Sequence, residues 1–165
     1  QGLEGKSLSG GTTILAALRR ALAPGSNVTF DADGAGSDGA AAVVVVVGEP
    51  PYAEMKGDRA DLALPDGTIQ KLTRARASRA PVVLVVLSGR PLVLGEALAL
   101  SDAVVAVWLP GTEGDGVADV LVGRYAPTGK LPMSWPRGMA QVPINIGDAQ
   151  YDPLFPFGFG LTYQK

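Results

Sequence analysis

The sequence contains no cysteine and no histidine. The lack of cysteine excludes disulfide bonds and thiol nucleophiles, and the lack of histidine excludes Ser-His and Cys-His catalysis. The two absences together remove every common zinc site. Catalysis by this chain would therefore depend on carboxylates, Lys, Arg, Tyr and Ser/Thr hydroxyls. The lack of cysteine is also compatible with an exported bacterial protein.

Long hydrophobic runs and an excess of charge are lacking as well. No stretch approaches the roughly 20 apolar residues that span a bilayer. The net charge of −2 provides no excess of positive charge for binding nucleic acid or an anionic membrane. The 165 residues, 47% of them hydrophobic, predict one globular domain. No signal peptide is recognisable, and because the chain starts with Gln1 we expect an upstream segment to be missing or removed.

Helical patterns alternate with unbroken apolar runs along the first 125 or so residues, which predicts an α/β fold with a mostly parallel, doubly wound sheet. The continuous apolar runs are typical of strands covered on both faces. From residue 127 onward, Pro, Gly and aromatic residues crowd the sequence. These large rings are expected to pack back on this domain, with packing on something else as the alternative. The predicted strands are 27–30, 41–47, 81–87 and 103–108, with short strands or hairpins at 131–135 and 157–163. The first predicted helix starts at 12 or 13 and ends at 22, and the second starts at 66 or 68 and ends at 78. A short third helix ends at 99, and a fourth starts within the loop 111–116 and includes 117–122.

A charged loop at 48–59 follows the valine-rich strand directly. Ligands of open α/β sheets bind at the carboxyl ends of the strands, so the loop is a candidate site, although a plain surface loop is the alternative. Glycoside hydrolysis needs two carboxyl groups, one of them a proton donor of raised pKa. Glu49 and Glu54 are both eligible, and prolines at 50 and 51 stiffen the backbone between them. Because Lys56 and Arg59 would lower that pKa, they are expected to point away or to bridge to Asp58.

Two further loops follow predicted strands. The loop 111–116 (GTEGDG) lacks the spacing of a phosphate-binding loop, and its acidic residues would repel an anion, so it predicts a tight turn and argues against a nucleotide-binding domain. The segment 88–91 (SGRP) leaves two possibilities open. Arg90 is either a ligand contact or interdomain salt bridge, or a turn residue that is paired locally.

Six motifs occur in a fixed order along the chain. In that order they resemble the second domain of family 3 glycoside hydrolases, in the branch of exo-acting β-glucan glucohydrolases and β-glucosidases of plants and bacteria. The resemblance covers essentially the whole chain. The motifs are 48–58 (GEPPYAEMKGD), 88–91 (SGRP), 108–114 (WLPGTEG), 127–132 (PTGKLP), 134–135 (SW) and 151–163 (YDPLFPFGFGLTY).

This resemblance implies that residues 1–165 form a single six-stranded α/β sandwich, which in the family lies beside an N-terminal (β/α)₈ barrel that is absent here. It implies a retaining mechanism with an Asp nucleophile on the barrel. The general acid/base matches Glu54, in the pattern PYxExKGD, and Glu49 is the fallback. Substrate-binding residues are expected mainly on the barrel, and the family commonly has a substrate-stacking Trp just before a Gln-Gly such as the one at Gln1. No metal or organic cofactor is implied.

The resulting expectation is the acid/base-bearing domain of an enzyme that releases glucose from the non-reducing ends of β-glucans or oligosaccharides. Its partners would be the β-glucoside substrate and the barrel domain, with no nucleic acid and no membrane. The chain on its own is expected to be inactive, and the location to be periplasmic or extracellular. The alternative is a non-catalytic carbohydrate-binding or interaction module on the same scaffold.

Overall fold

The computed structural model describes residues 10–52 and 57–163. Strands and helices alternate in it, which confirms the predicted α/β class. The described residues form three strands in one sheet, fewer than the six that the resemblance implied. The elements are α1 (Ile14–Ala21), β1 (Val43–Gly48), α2 (Thr68–Ala77), β2 (Val82–Leu87), α3 (Glu96–Ala99), β3 (Ala103–Trp108), α4 (Gly114–Leu121) and a 3-10 turn (Met139–Gln141).

The sheet is parallel, with the strand order β1-β2-β3. The central strand β2 is covered on both faces, as its apolar run predicted, and Leu84 and Val85 are fully buried. The edge strand β1 differs. Val45 and Val47 are buried, whereas Val46 is 42% exposed. A run of five valines satisfies either environment, so the sequence could not distinguish an edge strand from a central one.

Helices α1 and α4 pack against each other beside the loop 111–116, which the sequence predicts to be a tight turn. The hydroxyl of Thr13 accepts a hydrogen bond from the backbone N–H of Ala16 and caps α1, as expected. The backbone of Gly114 lies so close to α1 that an added Cβ would be 2.5 Å from the carbonyl oxygen of Thr12. Asp115 forms an ion pair with Arg20 at 2.7 Å. Asp115 therefore lies in the first turn of α4 and links this helix to α1.

The main core lies between the sheet, α2, α3 and residues 127–163, which form a C-terminal extension rich in aromatic residues. The indole of Trp135 is 3% exposed and donates a hydrogen bond to the carbonyl oxygen of Leu92 at 2.8 Å. Trp135 also contacts Phe155 edge-on, at 6.4 Å between ring centroids. Part of the aromatic extension thus packs back on the domain, as predicted. The buried core residues are Val45, Val47, Leu72, Ala75, Val82, Leu84, Val86, Leu92, Leu94, Ala97 and Trp135.

Two predicted elements have a different form. Residues 27–30 were expected to form a strand, but no strand is formed there, and Phe30 is 68% exposed. In the extension, backbone hydrogen bonds join 131 to 159 and 135 to 155 without forming regular strands. The prolines of the extension lack the N–H donors that a continuous ladder requires, which explains the isolated pairing.

None of the helices in the described part of the chain combines the length and the apolar character that crossing a membrane would require.

Candidate functional site

The carboxyl ends of the three strands meet at one edge of the sheet. Gly48 pairs with Leu87, and Leu87 pairs with Trp108, so the last residues of the strands are neighbours. Backbone hydrogen bonds continue the pairing one step further, from Glu49 N–H to Leu87 and from Ser88 N–H to Trp108. Three loops that are far apart in the sequence thereby start side by side. The loop after β1, which carries Glu49, therefore starts at the edge where open α/β sheets bind ligands.

Glu49 occupies the centre of this edge, and its side chain is only 2% exposed. Its Oε2 atom accepts hydrogen bonds from the hydroxyls of Ser88 at 2.6 Å and Tyr52 at 2.9 Å. Its Oε1 atom accepts a hydrogen bond from Nη1 of Arg59 at 3.1 Å and lies 3.3 Å from Nε of Arg90. Each carboxylate oxygen therefore has two partners, which is the arrangement that a buried charge requires.

The surroundings of Glu49 keep it ionised. Burial raises the pKa of its carboxyl group. The hydrogen bonds from Ser88, Tyr52 and Arg59 and the charge of Arg90 outweigh this effect, so that the pKa lies below its ordinary value. The hydrogen bond with Tyr52 and then the charge of Glu49 raise the pKa of Arg90 despite partial burial. Glu49 and Arg90 thus form a stable ion pair at neutral pH, whereas a general acid needs a raised pKa.

Tyr52 connects the loop after β1 to the loop after β2. Its hydroxyl donates to Glu49 and accepts a hydrogen bond from the backbone N–H of Gly89 at 2.9 Å. The guanidinium carbon of Arg90 lies 4.3 Å from the centre of the Tyr52 ring, in a cation–π arrangement. A Cβ atom on Gly89 would collide with the Tyr52 hydroxyl. Glycine at 89 is therefore what allows the tyrosine to reach the backbone.

Ser88 is the first residue after β2 and is 2% exposed. Its hydroxyl oxygen lies 2.6 Å from Oε2 of Glu49 and 2.7 Å from the carbonyl oxygen of Arg90, and it accepts a hydrogen bond from the Arg90 N–H at 3.1 Å. A hydroxyl has a single proton, and the charged acceptor forms the stronger bond. Ser88 therefore stabilises the Glu49 carboxylate and the turn that places Arg90.

The outcome for the predicted site residues is mixed. Glu54 and Lys56 lie outside the described residues. Arg59 was expected to point away or to bridge to Asp58. It instead pairs with Glu49 and, through Nη2, with Asp61 at 2.8 Å. This difference has a physical reason, since the buried carboxylate needs compensation that the exposed Asp58 does not.

Of the two possibilities for Arg90, the structure supports local pairing. The roles of Tyr52 and Ser88 were not predicted from the sequence. The available signal was position, because Ser88 directly follows a buried strand and Tyr52 follows two prolines in the charged loop.

The backbone of Trp108 is strained at the same edge. Its φ of 52° is in the left-handed region, which residues other than glycine rarely adopt. A register shift between Val86 and Leu87 accompanies it. This backbone conformation turns the chain so that the ring of Trp108 packs against that of Trp135, with 6.1 Å between the ring centroids. The next residue, Leu109, is 67% exposed. The exposed side chain of Leu109 therefore lies beside the loop after β2, where a Cβ atom on Gly89 would be 3.6 Å from its Cδ1 atom.

Within residues 10–52 and 57–163, no group of three or more acidic side chains is arranged to hold a metal ion.

Comparison with known proteins identifies the family. The model of the glycosyl hydrolase family 3 C-terminal domain matches residues 3–163. The chain is 38% identical over 144 residues to a periplasmic beta-glucosidase of Salmonella typhimurium, and this match covers 73% of the chain and 19% of that protein. It is 40% identical over 139 residues to a beta-xylosidase of Formosa agariphila, covering 74% of the chain and 19% of the relative.

A solved structure agrees with these matches. The exo-1,3/1,4-beta-glucanase of a Pseudoalteromonas species superposes with a TM-score of 0.83 and 43% sequence identity. The superposition covers 94% of the present chain and 21% of the glucanase chain. The chain thus spans about a fifth of the length of the relatives it matches.

Proposed function

Because the chain belongs to the glycosyl hydrolase family 3 C-terminal domain family, we propose that it is the acid/base-bearing domain of a retaining, exo-acting β-glucosidase or β-glucan glucohydrolase. Glu54 is the proposed general acid/base. The substrate would be a β-glucan or β-linked oligosaccharide from which glucose is released at the non-reducing end. The names of the Salmonella relative and the Pseudoalteromonas glucanase support this substrate class.

The observation that carries the assignment is the state of Glu49. The segment 48–59 contains two glutamates, and one of them is a buried, ionised carboxylate with a partner on every side. A proton donor must change its protonation state in each catalytic cycle, and these surroundings oppose such a change in Glu49. Glu54 lies between Tyr52 and Gly57, both of which are held at the strand edge. This arrangement favours Glu54 over Glu49 as the general acid/base.

The proposed chemistry divides the reaction between two domains. Glu54 protonates the leaving glycosidic oxygen in the first step and deprotonates water in the second. The nucleophile is a carboxylate on an N-terminal barrel domain, and the low coverage of the relatives supports a large additional region. In a retaining enzyme the two carboxyl groups lie about 5–5.5 Å apart, and the proposal requires this separation between Glu54 and the nucleophile.

The direct test is Glu54→Gln in the full-length enzyme. Natural glucans have poor leaving groups that need protonation, so we expect their kcat/KM to fall by roughly 10²–10⁴-fold. Aryl glucosides with activated leaving groups need no proton for the first step and should lose far less, and added azide should partly restore their turnover. Glu96→Gln, at an exposed position in α3, is the matched control for the same chemical change. Unchanged turnover of natural glucans by Glu54→Gln would refute the assignment.

The identity of the sugar needs a separate measurement, because one relative is named a beta-xylosidase. We propose glucose as the glycone. Matched p-nitrophenyl β-glucoside and β-xyloside substrates test this directly, and a higher kcat/KM for the xyloside would contradict it.

A periplasmic or extracellular location is also proposed, and the name of the Salmonella relative supports it. Fractionation of the native host followed by immunodetection of the chain is the corresponding measurement. Recovery with the cytoplasmic fraction would contradict this location.

A further inference from the structure

The Glu49 cluster, which consists of Glu49, Tyr52, Arg59, Ser88 and Arg90, joins both sides of the segment that contains Glu54. We infer that this cluster is a positioning device for the acid/base segment. The inference rests on the proposed function of Glu54, and it assigns to the cluster a role in catalysis beyond the stability of the fold. None of its members needs to touch the substrate.

The first observation is that the two flanking residues, Tyr52 and Gly57, are in contact. A Cβ atom on Gly57 would lie 2.6 Å from Cδ2 of Tyr52 and 3.3 Å from Nη2 of Arg90. The backbone at 57 therefore returns directly onto the Tyr52 ring and the Arg90 side chain that covers it. Any displacement of the ring is thus transmitted to both positions from which the Glu54 segment extends.

The second observation is that the ring of Tyr52 is fixed from several directions. Its hydroxyl is held between the Glu49 carboxylate and the Gly89 N–H, each at 2.9 Å. The Arg90 guanidinium covers one face of the ring, with a weaker contact from Nε to the hydroxyl at 3.4 Å. A tyrosine bound at its tip and covered on its face has little freedom to rotate, so the hydroxyl determines where the ring lies.

The third observation is that the chain is held again just after the segment. Arg59 reaches back to Glu49 at 3.1 Å and also pairs with Asp61 at 2.8 Å. The Glu49 carboxylate is therefore a shared anchor for Tyr52 on one side and Arg59 on the other. A general acid must lie within hydrogen-bond reach of the atom it protonates, and a displacement of about 1 Å can cost on the order of 10²-fold in rate.

The sharpest test is Tyr52→Phe in the full-length enzyme. This variant keeps the ring and its contact with Arg90 but removes the hydroxyl that joins Glu49 to Gly89. We expect kcat/KM for laminaribiose, a poor-leaving-group substrate, to fall by roughly 10- to 100-fold. The value for 2,4-dinitrophenyl β-glucoside should change by less than about threefold, since that leaving group needs no proton.

A purely structural role gives a different result, because general loss of folded enzyme lowers the rates of all substrates by the same factor. A uniform decrease, or no decrease, in Tyr52→Phe overturns the inference. Glu54→Gln is measured in parallel to separate the two proposals. If Glu54→Gln is selective for poor leaving groups and Tyr52→Phe is not, the positioning role alone is wrong. If Glu54→Gln is not selective either, both proposals are wrong.

Two further variants help to distinguish a loss of positioning from a loss of folded enzyme. Ser88→Ala removes another donor to Glu49 with a minimal change of volume at a buried site, and we expect the same selectivity with a smaller factor. Tyr125→Phe removes a hydroxyl from a tyrosine that is 60% exposed and lies outside the Glu49 cluster, and it should leave both substrates unaffected. Thermal unfolding of every variant verifies that the rates refer to folded enzyme.

Discussion

The carboxylate of Glu49 is almost completely buried, and it pairs with two arginines, Arg59 and Arg90. In Glu49→Gln the shape is kept, but Arg90, which is only 20% exposed, loses its anionic partner. Removal of one member of a buried pair is costly, so we expect the free energy of unfolding to fall by about 3 kcal/mol. Urea denaturation of the purified protein measures this change. Asp119→Asn, which removes an exposed ion pair with Arg124 at 3.6 Å, should cost less than about 1 kcal/mol.

The effect of Glu49→Gln should depend on pH with a definite sign. The pKa of Glu49 is lowered in the folded state, so the unfolded chain binds a proton first as the pH falls. The stabilisation is therefore complete above the ordinary pKa of a glutamate and is lost as the pH falls through the folded value. The groups facing Glu49 are Tyr52, Arg59, Ser88 and Arg90. The difference between wild type and variant should be largest near pH 7 and shrink toward pH 3. A difference that is constant over this range would contradict the ionised state of Glu49.

Single residues of the site could be predicted from the sequence better than their partnerships. Glu49 and Arg90 stood out because charged residues directly follow apolar strands. Their pairing could not be read from the sequence, because the hydrogen bond between Glu49 and Ser88 spans 39 residues and depends on the parallel alignment of β1 and β2. Tyr52 was recognised only as part of a motif. Its role requires the close approach of the Gly89 backbone, which no local pattern encodes.

Regular elements with strong local signals were predicted accurately. The bounds of β3 are the predicted ones, and α1 begins directly after its Thr13 cap. The incorrect predictions concern features that depend on the neighbours of a segment in the folded sheet. The exposure of Val46 depends on which strands neighbour β1, and the absence of a strand at 27–30 depends on whether a sheet edge is available to pair with. Both are properties of the assembled sheet, so a window of sequence does not contain them.

The contact between α1 and α4 yields a prediction from two glycines of the same helix. A Cβ atom on Gly114 would lie 2.5 Å from the carbonyl oxygen of Thr12 and 2.6 Å from the carbonyl carbon of Thr13, whereas one on Gly116 would meet nothing within 4 Å. Gly116→Ala should stabilise the protein by roughly 0.5–1 kcal/mol, because alanine favours the helix. Gly114→Ala should destabilise it by about 1–3 kcal/mol, because the backbones of the two helices must move apart.

Thermal or urea unfolding of these two variants provides the measurement, with each serving as the control of the other. Equal effects of the two substitutions would show that helix propensity alone governs this contact. Opposite signs would establish that the approach of α1 to the start of α4 sets the requirement for glycine at 114.

At the scale of the molecule, the aromatic extension illustrates what the sequence could and could not decide. The number of large rings after residue 127 indicated that they must be buried, and Trp135 and Phe155 are indeed packed at the core. Other apolar side chains of the extension are exposed in this chain, with Phe157 at 54% and Leu161 at 74%. The relatives are about five times longer than the chain, which agrees with the proposal that a further domain covers these side chains.

The proposed division of the active site between two domains leads to a prediction for the 165-residue chain alone. The proposed nucleophile and most sugar contacts belong to an N-terminal domain, so the isolated chain should hydrolyse neither natural glucans nor activated aryl glucosides. Titration calorimetry with glucose and laminaribiose should show no saturable binding, because one wall of a pocket cannot enclose a sugar. The alternative of a carbohydrate-binding module makes the opposite prediction. Saturable binding by the isolated chain, abolished in a variant of the strand edge such as Leu109→Ala and retained in Leu161→Ala, would favour that module over the hydrolase domain.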